Sequence, residues 1–455
     1  MGLINRPVRA GAVAVMGLAI AGYSSVFAAS SAVAAPSVAR PHLVALKGSV
    51  SPTTDKITGA YSSKRMSVEV ALAPRDASGL ARSIKAMYTK HSGSYHKWLR
   101  TGQYDARYAP TLATRNAVRG YLKSEGLRVV NSSSPFLVRA VGSSHQVSAA
   151  FHTTLSDYRD PHGIRYFANS TAVSVPAAIA SKMYGVIGLT NTARAQSNIV
   201  RAPHSARTGV QPAAGNPPAC ETPYPTEQQI ANALLGISGF PFGYGDGPGC
   251  NGLTPAQTNS IYNAPHVGAR GKGAGVNIAV FELSAYQASD IDTWAHTFYG
   301  PSYTPPLVNV NVDGGPLNPV CPAGDECPPS FNGYAGDIEV DADIEMQLTI
   351  SPDVSHLIVY NAPNDFTGQT ELDEYTAIAN ANQAASVSSS WAVCENDATT
   401  AIVQAENTVF EQMAMQGQSM FGAEGDTGAF SCIRSDGTTI VNVLDPPSQP
   451  WVTSV

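Results

Sequence analysis

Positive charge nearly vanishes from this sequence after residue 210. Residues 211–455 hold only three of the 28 Lys and Arg residues but 27 of the 34 Asp and Glu residues. Residues 1–210 are the reverse, with 25 basic and 7 acidic side chains. Cysteine is missing before Cys220, and the six present (Cys220, Cys250, Cys321, Cys327, Cys394 and Cys432) form no C-x-x-C pair. That argues against a zinc site. Charged residues are only 14% of the chain and hydrophobic ones 43%, which excludes disorder for most of its length. Beyond the N-terminal segment no apolar run is long enough to span a membrane.

What is present begins with "MGLINRPVRAGAVAVMGLAIAGYSSVFAASSAVAAP". Arg6 and Arg9 precede a run of small and apolar residues that ends at Ala32-Val33-Ala34. This is the pattern of a secretory signal cut after Ala34. A transmembrane anchor fits less well, because Gly and Ser interrupt the run. An even cysteine count in an exported chain suggests disulfides, with 15 connectivities open. A basic half beside an acidic half has two readings, a nucleic-acid partner or mutual binding. Export favours the second.

A length of 455 residues suits about three domains. The expected division is a signal peptide at 1–34, a leader at 35–65, a first domain at 66–193, a linker at 194–215 and a second domain at 216–455. In the first domain "SVEVALA", "LRVV", "FLVRAVG", "TTLSDYR" and "RYFAN" read as strands. Helices are expected at "DASGLARSIKAMYTKH", "TLATRNAVRGYLKSEG" and "SSHQVSAAF". That order suits an α+β sandwich. The linker is rich in Pro, Ala, Gly and Arg and without period, a site for proteolysis. In the second domain buried strands are expected at 276–283, 307–312, 355–360, 385–391, 419–425 and 439–444. Helices fall between several of them, near 288–299, 338–351, 371–384 and 400–416. Alternation of this kind implies a parallel sheet covered on both faces, with ligands at the carboxyl ends of its strands.

"GDIEVDADIEMQLTISPD" (336–353) puts five carboxylates into nine residues. As a helix it sets Glu339 and Asp343 on one stripe with Met346 and Ile350, expected to be buried. Asp341 and Glu345 point the other way, toward water. Asp337 is expected as the N-cap. A calcium loop of the EF-hand kind fails, with Ala342 where Gly is needed and Leu348 where Glu is needed. A buried pair at i, i+4 repels and must raise at least one pKa, which makes Glu339 and Asp343 functional candidates.

"GDIEVDADIEMQLTISPDVSHLIVY" resembles the Glu-x-x-x-Asp helix of the sedolisins, the serine-carboxyl peptidases that include kumamolisin, with Pro352 and Tyr360 also matching. "GLTPAQTNSIYNA" resembles the entry to that family's catalytic domain, and "GKGAGVNIAVFELSAYQASDID" its first strand and helix. "SVSSSWAVCE" resembles its substrate-edge strand, with Ala392 where Gly is usual. "GAEGDTGAFSC" resembles its Gly-Asp-Ser-Gly turn. The first domain resembles the family's activation propeptide through "YHKWLRTGQYDARYAP", "GLRVV", "AAFHTTLSDYR" and "VPAAIASKMYGVIGLTN".

The resemblance implies a subtilisin-like doubly wound parallel sheet, incomplete at its C-terminal side, preceded by an α+β ferredoxin-like propeptide. It implies Glu339 as general base, Asp343 as the group that orients it and Asp426 as oxyanion acid. Glu282 and Trp391 support them, and Cys394 pairs with Cys432. It also implies peptide substrates, an intramolecular propeptide, export to the extracellular space or periplasm, and calcium. The calcium ligands and the nucleophile serine, in a Gly-Thr-Ser-x-x-x-Pro stretch, have no counterpart in this sequence. The expectation is therefore a truncated zymogen, inactive by itself. The alternative is a non-catalytic secreted protein that binds or inhibits a partner peptidase.

Overall fold

In the computed structural model, residues 42–50, 53–160, 163–193, 195–197, 254–264, 272–316, 336–433 and 439–455 are described. The expected signal segment, most of the linker, and Cys220, Cys250, Cys321 and Cys327 lie outside them. Residues His42–Val455 form one compact unit.

Two short strands open it, β1 (Leu43–Ala45) and β2 (Lys56–Ala60). Next come β3 (Met66–Leu72), α1 (Ala77–Tyr88), α2 (Gln103–Tyr108), α3 (Leu112–Ser124), β4 (Arg128–Val129) and β5 (Leu137–Gly142). Asp76 caps α1 by accepting from the Gly79 amide, and Thr111 caps α3 through Thr114. The first half continues with α4 (Ser144–Ala150), β6 (Leu155–Arg159), β7 (Arg165–Asn169), β8 (Ser174–Pro176), α5 (Ala177–Ala180) and β9 (Met183–Ile187). Its main sheet is antiparallel throughout, in the order β4-β5-β3-β9. Val68, Val70 and Leu72 turn to one face and share a core with Val118 and Leu122 of α3 and Val147 and Ala150 of α4.

The segment expected as an extended leader is part of this fold. β1 pairs with β8, and β2 pairs with β6, which also pairs with β7. Isolated short strands are unstable; these exist because neighbouring strands offer them a ladder.

The second half contributes β10 (Gln196–Ser197), α6 (Pro255–Ile261), β11 (Asn277–Glu282), α7 (Ala288–Tyr299), β12 (Leu307–Asn311) and α8 (Asp337–Ile350). It continues through β13 (His356–Asn361), α9 (Gln369–Ala381), β14 (Ser386–Ser389), β15 (Trp391–Cys394), α10 (Thr400–Gln416), β16 (Ser419–Gly422), β17 (Leu444–Asp445) and β18 (Val452–Ser454). Six strands form a wholly parallel sheet in the order β12-β13-β11-β14-β16-β18. β11 is buried from Ile278 through Glu282 without alternation, as a strand covered on both faces must be. The expected strand at 439–444 is absent. Ile440 and Val441 are 68% and 71% exposed, and only Leu444 and Asp445 join a ladder. An apolar run reads as a strand by composition, but only a covering element buries it.

The two halves share cores. Ala71, Leu137 and Ile187, on the second face of the antiparallel sheet, pack with Leu372 of α9 and Ala401 and Ile402 of α10. At Gly185 a Cβ would come within 2.8 Å of the Ala401 Cβ, so the close approach of β9 to α10 depends on glycine there. Leu80, Ile84 and Tyr104 pack with Met415 at the end of α10.

Candidate active site

Parallel strands all deliver their carboxyl ends to one edge of the sheet, and the candidate residues gather there. β11 ends in Glu282, in register with Asn361 of β13. Glu282 is fully buried, and the Trp391 Nε1–H donates to its Oε2 at 2.8 Å. α8 starts against the same edge. A side chain at Gly336 would come within 2.5 Å of Ser284 Cβ and of the Trp391 ring, so glycine lets the helix begin this close.

From that start α8 carries Glu339 and, one turn on, Asp343 toward Glu282. Glu339 is 8% exposed. The Ser390 hydroxyl donates to Asp343 Oδ1 at 2.8 Å. Burial pushes the Asp343 carboxyl up to about 6, against the lowering effect of Ser390 and of the adjoining Glu282. Glu282 is driven well above the usual carboxylate range, first by burial and next by the Asp343 charge. The Trp391 hydrogen bond opposes this, and Glu339 and Glu374 push it further. Glu374 of α9 accepts from the Glu282 backbone N–H at 3.1 Å and is itself raised by burial. Such a cluster holds protons and can exchange them in acid, where a histidine would already be charged.

The structure thus brings Glu282, Glu339, Asp343 and Trp391 together. Asp426 is exposed in the turn that follows β16, also at the carboxyl edge. The Cys394–Cys432 disulfide ties the segment after that turn to the end of β15. Sequence reasoning missed Ser390 and Glu374. Ser390 sits in a Ser-Ser-Ser run without a distinguishing pattern, and Glu374 reaches Glu282 across 92 residues of chain. Neither carries a local signal.

Three details of α8 differ from expectation. Its N-cap is Gly336, and Asp337 is the first helical residue, with its carboxylate accepting from the Ile338 amide at 3.0 Å. The buried apolar stripe is Val340, Ile344 and Leu348, whereas Met346 and Ile350 are 45% and 40% exposed. Glu339 and Asp343 lie beside that stripe, one residue round the helix. Asp341 and Glu345 are not free in water. Burial pushes both to about 7, with Asp290 and Asp337 adding to it at Asp341, and Asp341 and Asp290 at Glu345.

β10 pairs antiparallel with β15, setting Gln196 opposite Ala392 and Ser197 opposite Trp391. Asn364 Nδ2 donates to the Ala195 carbonyl at 2.8 Å, fixing the start of that pairing. Two residues of the expected linker are therefore a strand against the expected substrate edge. Among the described residues no group of three or more His, Cys, Asp and Glu could hold a metal ion.

The family described as "Pro-kumamolisin, activation domain" matches residues 53–192. Sedolisin from Pseudomonas sp. (strain 101) is 24% identical over 397 residues, covering 85% of this chain and 59% of sedolisin. Xanthomonalisin from Xanthomonas sp. (strain T-22) is 25% identical over 164 residues, covering 36% of this chain and 20% of xanthomonalisin. This chain therefore spans less than two thirds of either relative. A solved structure of Pseudomonas sedolisin, a serine-carboxyl proteinase complexed with two molecules of pseudo-iodotyrostatin, overlaps 45% of this chain and 53% of its own at 20% identity, with a TM-score of 0.36.

Proposed function

We propose that the chain, whose residues 53–192 match the pro-kumamolisin activation domain and which is similar to sedolisin over most of its length, is a sedolisin-family precursor, the zymogen of a secreted, acid-acting serine-type endopeptidase. The observation that carries this reading is the buried carboxyl cluster of Glu282, Glu339 and Asp343 at the strand ends, beside an edge strand already paired with linker residues.

In the proposed mechanism Glu339 takes the proton of a serine hydroxyl as it attacks a peptide carbonyl. Asp343, held by Ser390, orients Glu339. Glu282, held by Trp391, supports Asp343 from behind. Asp426 donates to the oxyanion, which a carboxyl group does only in its protonated form, so the reaction belongs to acid conditions. The serine is missing from the Gly-Thr-Ser-x-x-x-Pro context that the family uses, and without it no acyl-enzyme forms. Signal cleavage after Ala34 and export belong to the same reading. So do a ferredoxin-like label for the activation domain, supported by its antiparallel β4-β5-β3-β9 order, and a subtilisin-like label for the parallel sheet.

The purified 455-residue chain, incubated at about pH 4 with a denatured protein, is expected to release no peptides. Acid-dependent release that disappears in Glu339→Gln would show that another nucleophile serves the site and would overturn the missing-serine claim.

A further inference from the structure

Glu374 of α9 is an acid with no exposed surface, and its side chain reaches the carboxyl edge of the parallel sheet. Its Oε1 accepts from the Glu282 backbone N–H at 3.1 Å, and the Ala362 backbone N–H bonds the same carboxyl. Glu282 is the last residue of β11, one past the last residue that pairs with β14, and Ala362 is the first residue after β13. The two strand ends meet there, where the Ala362 N–H donates to the Glu282 carbonyl at 3.1 Å. Glu374 thus ties the ends of β11 and β13 to the helix beside them. Neighbouring contacts fix its place. Phe281 and Tyr375, the residues next to Glu282 and Glu374, stack with ring centroids 4.1 Å apart. The Tyr375 hydroxyl also donates to Ser389 Oγ, at the end of β14, at 3.4 Å.

A buried backbone N–H needs acceptors, and an apolar residue at 374 would take this one from Glu282. An acid is a costly way to supply it. Burial pushes Glu374 well above the usual carboxylate range; the Glu282 amide opposes this, Glu371 adds to it and the Ala362 amide opposes it. The amide so held belongs to the one residue of β11 in the candidate site. The Glu282 carboxyl accepts from Trp391 at 2.8 Å and adjoins Asp343. A small turn of the Glu282 peptide would carry its carboxyl away from both.

We propose that Glu374 is a positioning residue of the carboxyl cluster: by holding the peptide N–H of Glu282 it fixes where the Glu282 carboxyl meets Asp343 and Trp391. It acts through the backbone of β11, as a hydrogen-bond acceptor. The inference rests on the reading of Glu282, Glu339 and Asp343 as the catalytic cluster. Among the described residues the acids that face Glu282 are Asp343 and Glu339 of α8 and Glu374 of α9; Glu374 in turn faces Glu371 on its own helix and Tyr360 of β13.

The test uses the full chain and reads the cluster's own titration. Glu374→Gln keeps an acceptor oxygen, whereas Glu374→Leu keeps the size and removes the acceptor. By carboxyl-detected NMR, the Gln variant is expected to leave Asp343 titrating near its present value of about 6. The Leu variant is expected to raise that midpoint by about half a pH unit or more, because the lowering effect of Glu282 is lost with its alignment. In the same variant the Trp391 indole N–H, assigned with Trp391→Phe, is expected to exchange with solvent about tenfold faster or more. A Leu variant with an unmoved Asp343 midpoint gives Glu374 a packing role only and overturns the proposal. Equal shifts in the Gln and Leu variants would place the effect in the acid rather than in the acceptor and overturn it too. If the Leu variant does not fold, Glu374→Asp, which draws the acceptor back by one methylene, is expected to move the midpoint the same way by less; an unmoved midpoint there overturns the proposal. Peptide cleavage that ignores Glu339→Gln removes the peptidase reading of the cluster alone, and an Asp343 indifferent to Glu374 removes the positioning role alone.

Discussion

Arg139 shows at the scale of one residue how the two halves are joined. Its Nε donates to Glu69 at 2.7 Å within the activation domain, and its terminal nitrogen pairs with Asp373 of α9. Burial pushes Glu69 to about 7, against the attraction of Arg139. Removing the guanidinium leaves two buried acids facing each other, so Arg139→Met is expected to destabilise the chain by about 2–4 kcal/mol at pH 7.5. The loss is smaller at pH 5, because Glu69, with its pKa near 7, is then already neutral. Denaturant titrations at the two pH values check this; equal losses would contradict it. In the site, Ser390→Ala removes the hydroxyl that lowers Asp343, and the Asp343 carboxyl is expected to titrate above its present value of about 6. A carboxyl-detected NMR titration reads that shift directly. Glu339 and Asp343 were legible in the sequence because like charges at i, i+4 on one helix demand an explanation. Ser390 and Glu374 were not, because their roles come from strands and helices meeting over long separations.

At the scale of the element, α8 separates what periodicity tells from what it leaves open. Five carboxylates and six large apolar residues leave several stripes admissible on a helical wheel, and packing against β11, β13 and α7 selects Val340, Ile344 and Leu348. Ile344→Ala is expected to cost about 2–5 kcal/mol, as deletion of a fully buried side chain does. Met346→Ala is expected to change stability by less than about 0.5 kcal/mol. Chemical denaturation of the two variants distinguishes this arrangement from one in which Met346 is the buried residue. The helices at 288–299 and 400–416 match expectation to the residue because period and stop signals agree, Gly300 and Gly417 lying at their C-caps. The run at 439–444 departs from expectation because Ile440 and Val441 stay exposed and only its last residue, Leu444, pairs with β15.

For the whole molecule, the many raised carboxyl groups set a pH dependence. Glu69, Asp313, Asp341, Glu345 and Glu411 are each pushed to about 7, chiefly by burial. The folded chain therefore holds protons that the unfolded chain releases near pH 4 to 4.5. Stability is greatest below that range and falls as pH rises toward 7. Melting temperature is expected to be higher at pH 5 than at pH 7.5; the opposite order would refute the burial of these groups. This bears on the charge division between the halves. It suggests that the halves bind each other through opposite charges, a contact that protonation of the carboxylates in acid would weaken. Among the described residues the one ion pair across the junction is Arg139–Asp373, and the rest is apolar packing and hydrogen bonds such as Tyr104 to the Thr408 carbonyl at 3.1 Å. Among the described residues, acid release through lost charge would act through that pair.

Sequence by itself determined the order of the main strands and helices, the parallel character of the second sheet and the Glu339–Asp343 pair, because each is written in local period and spacing. Tertiary structure decided the rest: that the leader joins the first domain's sheets, that Ser390 and Glu374 support the site, that linker residues pair with β15, and that Glu371, Glu406 and Asp445 line one cavity. These are meetings of residues far apart in the chain, and burial and pairing between distant segments depend on which surfaces the whole fold brings into contact.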